Sequence, residues 1–281
     1  MSISQALVDL ERKAEVRAKS DRNEADYIKD GLLYCGICNT PRQCRVTILD
    51  EVKTPYCLCK CRAEKRDKEE AERKRIEFEQ QVKKMRKMGF PESDMENWVF
   101  DNDDGANQKV MSVARNYVDN FQQMKENGKG LLLFGDVGTG KSFAAACIAN
   151  ALIDKGYPVL MTNFARIANT VQGMFDGRQE YYDSFNKYPL LILDDLSAER
   201  KTEYMQEIVY NVIDSRYRAR LPLIVTTNLT GDELKHPAEV TNQRTFSRLF
   251  EMCIPLEVKG ADRRRERLRG DFEMYKDILG I

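Results

Sequence analysis

Several things are scarce in this 281-residue chain, and each scarcity removes a class of answer. There is no surplus of either charge: 45 Lys and Arg minus 45 Asp and Glu leave zero. No global field therefore draws the chain to nucleic acid or membrane, and any such contact must come from local patches. No run of about 18 apolar residues occurs, so no membrane-spanning helix and no membrane partner are expected. The opening segment, MSISQALVDLERKAEVRAKS, is charged throughout and lacks an apolar secretory core, which points to a cytoplasmic location. In that compartment the eight cysteines do not form a disulfide scaffold. The one histidine, His236, lies far down the chain, so a metal site near the amino end would have to be built from cysteine. The chain does have 42% hydrophobic and 9% aromatic residues, enough for a real core in one or two domains.

The cysteines divide the chain. Cys35, Cys38, Cys44, Cys57, Cys59 and Cys61 cluster, whereas Cys147 and Cys253 each lie in an apolar run as packed thiols. Cys35-Gly-Ile-Cys38 is a knuckle, and Cys57-Leu-Cys59-Lys-Cys61 follows about twenty residues later. Two thiolate pairs at that separation can close a tetrahedral zinc site. The favoured ligands are Cys35, Cys38, Cys59 and Cys61, with Cys57 able to replace Cys59. Free thiols, or a redox pair at Cys35 and Cys38, are the alternatives. The surrounding segment is short of large apolar residues, and a metal would supply the folding energy that such a core cannot. Residues 1–62 are accordingly read as a small zinc-binding region.

Residues 63–90 read as a charged helical connector. From 62 to 88 there are 11 basic and 7 acidic residues, a net of +4, with no Pro or Gly. Opposite charges recur four apart, as at Glu64–Lys68 and Glu70–Lys74. Phe78, Val82 and Met85 make only a thin apolar stripe. A solvated spacer is the expectation, ended by Gly89-Phe90-Pro91; a nucleic-acid contact through Lys83–Lys87 is the sharper alternative.

Residues 91–281 read as a nucleotide-binding α/β domain. In GLLLFGDVGTGKS, an apolar strand runs into Gly135-x4-Gly140-Lys141-Ser142, and the strongly helical FAAACIANALI follows. Glycines at 135, 138 and 140 let the backbone amides of Gly135, Asp136, Val137, Gly138, Thr139, Gly140, Lys141, Ser142 and Phe143 gather around phosphate oxygens. The helix start adds positive partial charge. Lys141 reaches the β- and γ-phosphates, and Ser142 offers its hydroxyl to Mg²⁺. Downstream, YPLLILDDL is a buried strand with carboxylates at its tip. There Asp194 would hold Mg²⁺ and Asp195 would orient or polarise the attacking water, with Glu199 as a nearby alternative for the second role. Strands around 159–161, 223–225 and 254–258 bring the number to five. Helices over 142–154, 164–176 and 202–218 separate them, and an amphipathic helix carrying Val110, Ala114, Tyr117 and Phe121 precedes them. Such alternation implies a parallel sheet covered on both faces. Asn228, at the tip of its strand, suits a contact to the γ-phosphate or the attacking water.

The segments GLLLFGDVGTGKS, CIANALIDKGYPVLMTNFARI, LLILDDLSAE, VIDSRYRARLPLIVTTNL and RTFSRLFEMCIPLEVKG together resemble the DnaC/DnaI-like helicase loaders of the prophage and phage type. The related IstB-like ATPases of transposons share much of this core. The resemblance covers residues 90–265 and, less specifically, the cysteine-rich front. It implies an AAA+ ATPase that uses ATP and Mg²⁺, touches single-stranded DNA and delivers a hexameric, DnaB-like replicative helicase. It also implies self-association through the ATP sites, with an arginine from one subunit reaching the γ-phosphate of the next. Arg248 matches that finger, with Arg244 as runner-up, and Arg263 matches the arginine that senses nucleotide from the following helix. About twenty residues remain after it, too few for a helical lid. An IstB-like transposition helper, engaging duplex DNA and a transposase, is the main alternative. A nucleotide-gated adaptor with little turnover and a generic P-loop kinase are the others.

Overall fold

The computed structural model describes residues 23–48, 51–90, 93–196, 202–237 and 240–280. The chain divides into two compact units, one ending at Phe78 and the other beginning at Glu79.

Among its described residues, the part of the first unit before the long helix is made of short hairpins and turns with few buried apolar side chains. Strands β1 (Tyr27–Lys29) and β2 (Leu32–Tyr34) form an antiparallel hairpin. Its two-residue turn is Asp30-Gly31, both at positive φ (52° and 72°), the geometry that matches the right-handed twist of the flanking strands. A second hairpin pairs β3 (Val46–Ile48) with β4 (Glu51–Lys53). The buried carboxylate of Asp26 accepts the amides of Asn23 and Gly36 and is ion-paired with buried Arg42. These contacts hold the Asp26 carboxyl below its usual range against the opposing effect of burial. Helix α1 (Lys60–Gly89) leaves this unit and continues into the second. The expected Glu70–Lys74 pair forms at 2.8 Å. The far end of the helix is not a solvated spacer, however. Met85 and Phe90 are buried, and Val82 packs beside them in the core of the second unit. Pro91 lies outside the described residues.

In the second unit, two 3₁₀ turns over 93–102 lead into α2 (Gln108–Asp119) and α3 (Phe121–Glu126). Then come β5 (Gly130–Phe134), α4 (Lys141–Asp154), β6 (Val159–Asn163), α5 (Phe164–Gln172), α6 (Arg178–Ser184) and β7 (Leu190–Leu196). After them follow α7 (Glu203–Ala219), β8 (Leu223–Thr227), α8 (Gly231–Lys235), α9 (Val240–Met252), β9 (Cys253–Glu257) and α10 (Arg263–Leu279). Among the described residues the unit holds one five-stranded sheet in the order β6-β7-β8-β5-β9, parallel throughout. The helix expected over 164–176 stops at Gln172, before Gly173.

The central strands are apolar along their length because both faces are covered. Leu131, Leu133, Leu190, Ile192 and Ile224 face a layer made by α2, α3 and α4. Their neighbours Leu132, Leu191, Leu193, Leu223 and Val225 face a layer made by α5, α7 and α9. Gly130 permits a close approach of neighbouring backbone: a Cβ there would lie 1.7 Å from the carbonyl oxygen of Leu223.

At the amino ends of β7 and β8 the sheet is closed by a buried cation. Arg216, with no exposed surface, donates to the carbonyls of Phe185, Tyr188, Pro189 and Pro222 at 3.2, 2.9, 3.4 and 2.5 Å. Burial pulls the Arg216 pKa down, and the four carbonyl dipoles oppose that loss of charge. Replacing Arg216 by Leu leaves those carbonyls without donors, and the expected loss is about 3 kcal/mol in urea unfolding. Arg216→Lys is expected to recover little of it, because one ammonium cannot span the fork.

Candidate functional site

The carboxyl ends of β5, β7 and β8 lie side by side, and an open cleft of about 860 Å³ sits against them. Its floor is the loop from β5 to α4. Gly138 and Gly140 take positive φ (77° and 97°), and Gly140 caps α4. A Cβ on Gly138 would lie 2.0 Å from the Asp262 carboxylate, which would have to move, and the positive φ itself disfavours any side chain there. Thr139 is buried and donates its hydroxyl to the carbonyl of Asp136. Lys141 is buried too, and its Nζ donates to the carbonyls of Gly135 and Asp136 at 2.9 and 2.6 Å. Burial lowers its pKa, while Asp136, Asp194 and Asp195 act in the other direction. A buried ammonium inside a ring of turned-in backbone is a polyphosphate-binding arrangement. Val137, Ser142 and Phe143 line the same cleft.

The acids stand opposite. Asp194 lies in register with Asn163 of β6, and its Oδ1 accepts the Thr226 hydroxyl at 2.6 Å. Asp195 has φ +57°, a left-handed conformation uncommon away from glycine, at a β-bulge between Leu193 and Leu196. Asn228 Nδ2 donates to Asp195 Oδ1 at 3.3 Å. Glu199 lies outside the described residues. The hydroxyl of Ser142 and the carboxylate of Asp194 share the cleft, an oxygen-only donor set that fits Mg²⁺.

Two walls complete the cleft. Arg263, at the start of α10, donates its backbone N–H to the carbonyl of Gly138 and pairs with Asp104 at 3.3 Å. Arg264 and Leu268 lie beyond it. Asn97, Trp98 and Asn102 come from the 3₁₀ segment and Asp104 from the residues just after it, and the ring of Trp98 is tilted against Phe143 at 6.0 Å. This wall and Thr226 escaped the sequence reading, because nothing at fixed spacing marks them. Arg248 and Arg244 do not line the cleft. Arg248 is held by Asp214 at 2.5 Å and lies over the rings of Tyr210 and Tyr217 at 4.7 and 5.4 Å; Arg244 is exposed.

The first unit carries a second candidate site. The sulfurs of Cys35, Cys38, Cys59 and Cys61 all lie within 4.8 Å of one another, the one such cluster among the described residues. Cys35–Cys61 and Cys59–Cys61 are 3.7 and 3.5 Å apart. A tetrahedron with metal–sulfur bonds of about 2.3 Å has edges of about 3.8 Å, so the cluster fits a metal of zinc's size. The hydroxyl of Thr40, 3.0 Å from Cys38 Sγ, pulls that thiol down to about 5. Neighbouring Cys59 and Cys38 push Cys61 up to about 12. Cys57 instead points its sulfur at the carbonyl of Pro41 and lies outside the cluster.

Sheet order, phosphate loop and paired acids define the class: a P-loop ATPase fold of the AAA+ type. The family described as IstB-like ATP binding protein matches residues 64–269, and the chain belongs to it. The chain is similar to the replicative helicase loader DnaI of Bacillus subtilis, with 25% identity over 206 residues, covering 68% of this chain and 66% of that protein. To the replicative helicase loader DnaC of Escherichia coli K12 it is 25% identical over 144 residues, covering 50% and 56%. To an insertion sequence ATP-binding protein of Sinorhizobium fredii it is 36% identical over 110 residues, covering 37% and 36%. The chain thus spans less than two thirds of the length of each of these curated relatives. A crystal structure of DnaI, 27% identical, superposes with a TM-score of 0.48 over 60% of this chain and 92% of that one. Among the described residues, no helix is long and apolar enough to cross a membrane.

Lys141→Ala is expected to weaken ATP binding about 100-fold in calorimetry, the value of a charge-assisted hydrogen bond of about 3 kcal/mol. The circular dichroism spectrum should stay unchanged.

Proposed function

We propose that this chain is a helicase loader that uses ATP binding and hydrolysis to deliver a hexameric replicative helicase to single-stranded DNA. The observation that carries the proposal is the convergence of Lys141, Ser142, Asp194, Asp195, Asn228 and Arg263 on one cleft, in a chain similar to two loaders along much of its length.

The roles follow from chemistry. Loop amides and Lys141 hold the phosphates, and Arg263 adds charge from the α10 side. Ser142 and Asp194 would hold Mg²⁺, which neutralises phosphate charge when bound. Asp195 accepts a hydrogen bond from the attacking water, and Asn228 fixes the Asp195 carboxylate. Arg248 serves as the finger toward a neighbouring subunit. Asp214 and two tyrosine rings already fix its guanidinium, whereas Arg244 is exposed. Zinc on Cys35, Cys38, Cys59 and Cys61 would stabilise the first unit, which is the candidate for docking on the helicase.

A second reading is a transposition helper, favoured by the family match and the 36% identity to an insertion sequence protein. Native mass spectrometry with the host's replicative helicase, with and without ATP, separates the two. A discrete complex with the hexamer is expected. Its absence in every nucleotide state, with capture of a transposase instead, would establish the helper.

Elemental analysis of freshly purified protein is expected to find about one zinc per chain. Cys35→Ser should abolish it, and Cys57→Ser should not.

A further inference from the structure

At the tip of β7 the main-chain ladder is interrupted. Leu193 pairs with Val225 and Leu196 with Thr227, so Asp194 and Asp195 together stand opposite the single residue Thr226. In an unbroken strand, neighbouring side chains point to opposite faces. The bulge, with its left-handed Asp195, re-aims the second acid so that both acids line the cleft. Such a backbone needs support from its surroundings.

The support comes from β8 side chains. Thr226, buried to 1% exposure, donates its hydroxyl proton to Asp194 Oδ1 at 2.6 Å. The Thr226 hydroxyl oxygen in turn accepts the backbone N–H of Asp195 at 2.9 Å. Thr227 donates to the carbonyl of Leu196 and accepts the amide of Leu229 at 3.1 Å. One hydroxyl at 226 therefore ties the carboxylate of the first acid to the backbone of the second.

We infer that Thr226 is a positioning residue for the cation site, its hydroxyl bridging Asp194 and Asp195. This rests on the nucleotide-binding reading above. A hydroxyl has one proton to give, and giving it to Asp194 Oδ1 fixes the carboxylate's rotation. That rotation decides which oxygen faces Ser142 across the cleft. Loss of the hydroxyl frees the carboxylate to turn and leaves the Asp195 amide without its acceptor.

The test separates cation binding from nucleotide binding. Thr226→Val keeps the shape and removes the hydroxyl; Thr226→Ser keeps the hydroxyl and removes the methyl. A fluorescent ATP analogue is titrated in EDTA, and Mg²⁺ is then titrated at fixed analogue. For Thr226→Val the half-saturating Mg²⁺ is expected to rise about tenfold, equivalent to about 1.4 kcal/mol, with affinity in EDTA within twofold of the parent. Thr226→Ser should restore the Mg²⁺ midpoint. If the valine variant does not fold, Thr226→Ala carries the same comparison. An unchanged Mg²⁺ midpoint, or equal weakening in valine and serine variants, would overturn the assignment and leave the nucleotide reading standing. Absence of any analogue binding by the parent chain would overturn both.

Discussion

Parallel pairing of β5, β7 and β8 is the constraint on which the cleft depends. In a parallel sheet every strand delivers its last residue to the same edge. The phosphate loop after Phe134, the acids of β7 and Asn228 after β8 are distant in sequence. They meet because the sheet order sets those three strands next to one another. An antiparallel partner in the middle would have sent one of these groups to the far edge. The same constraint makes the strands almost wholly apolar, since helices must cover both faces before the edge is usable.

The opposite edge needs its own solution. Where β7 and β8 begin, carbonyls of Phe185, Tyr188, Pro189 and Pro222 converge, and the two prolines supply no N–H to the neighbourhood. One guanidinium satisfies all four. A polar group this deep is costly unless its bonds are made, so the arrangement is all-or-none. The two edges thus divide the labour: the amino edge is closed by a buried cation, and the carboxyl edge is open and charged.

Much of this was legible from local spacing. The phosphate loop, the Asp194-Asp195 tip and the positions of the strands along the chain needed only contiguous residues and their periodicity. The clustering of Cys35, Cys38, Cys59 and Cys61 was legible for the same reason, since two close pairs leave few ways to bring four sulfurs together. What stayed hidden depends on distance through space. Nothing about Arg216 in RYRAR separates it from Arg218 two residues later, yet one has no exposed surface and the other is largely exposed. The bulge at Asp195 carries no glycine to announce its left-handed backbone. Thr226 looked like any strand threonine until its partners on β7 were in place. The end of α1 misled because Val82 and Met85 make too thin a stripe to signal burial alone; Phe90, beyond the helix, completes the contact.

The start of α10 is joined to the phosphate loop by one main-chain bond, Arg263 N–H to Gly138 C=O at 3.1 Å. Helix α10 is 17 residues long, which at about 1.5 Å per residue makes a rod of about 25 Å. Its near end rests on the atoms that would surround a phosphate, and its far end carries exposed Tyr275, Ile278 and Leu279. Geometry alone makes such a rod a pointer: a tilt of about 5° at the pinned end carries the tip about 2 Å. A shift of Gly138 that tilted this helix would thereby be enlarged at the apolar surface of its other end.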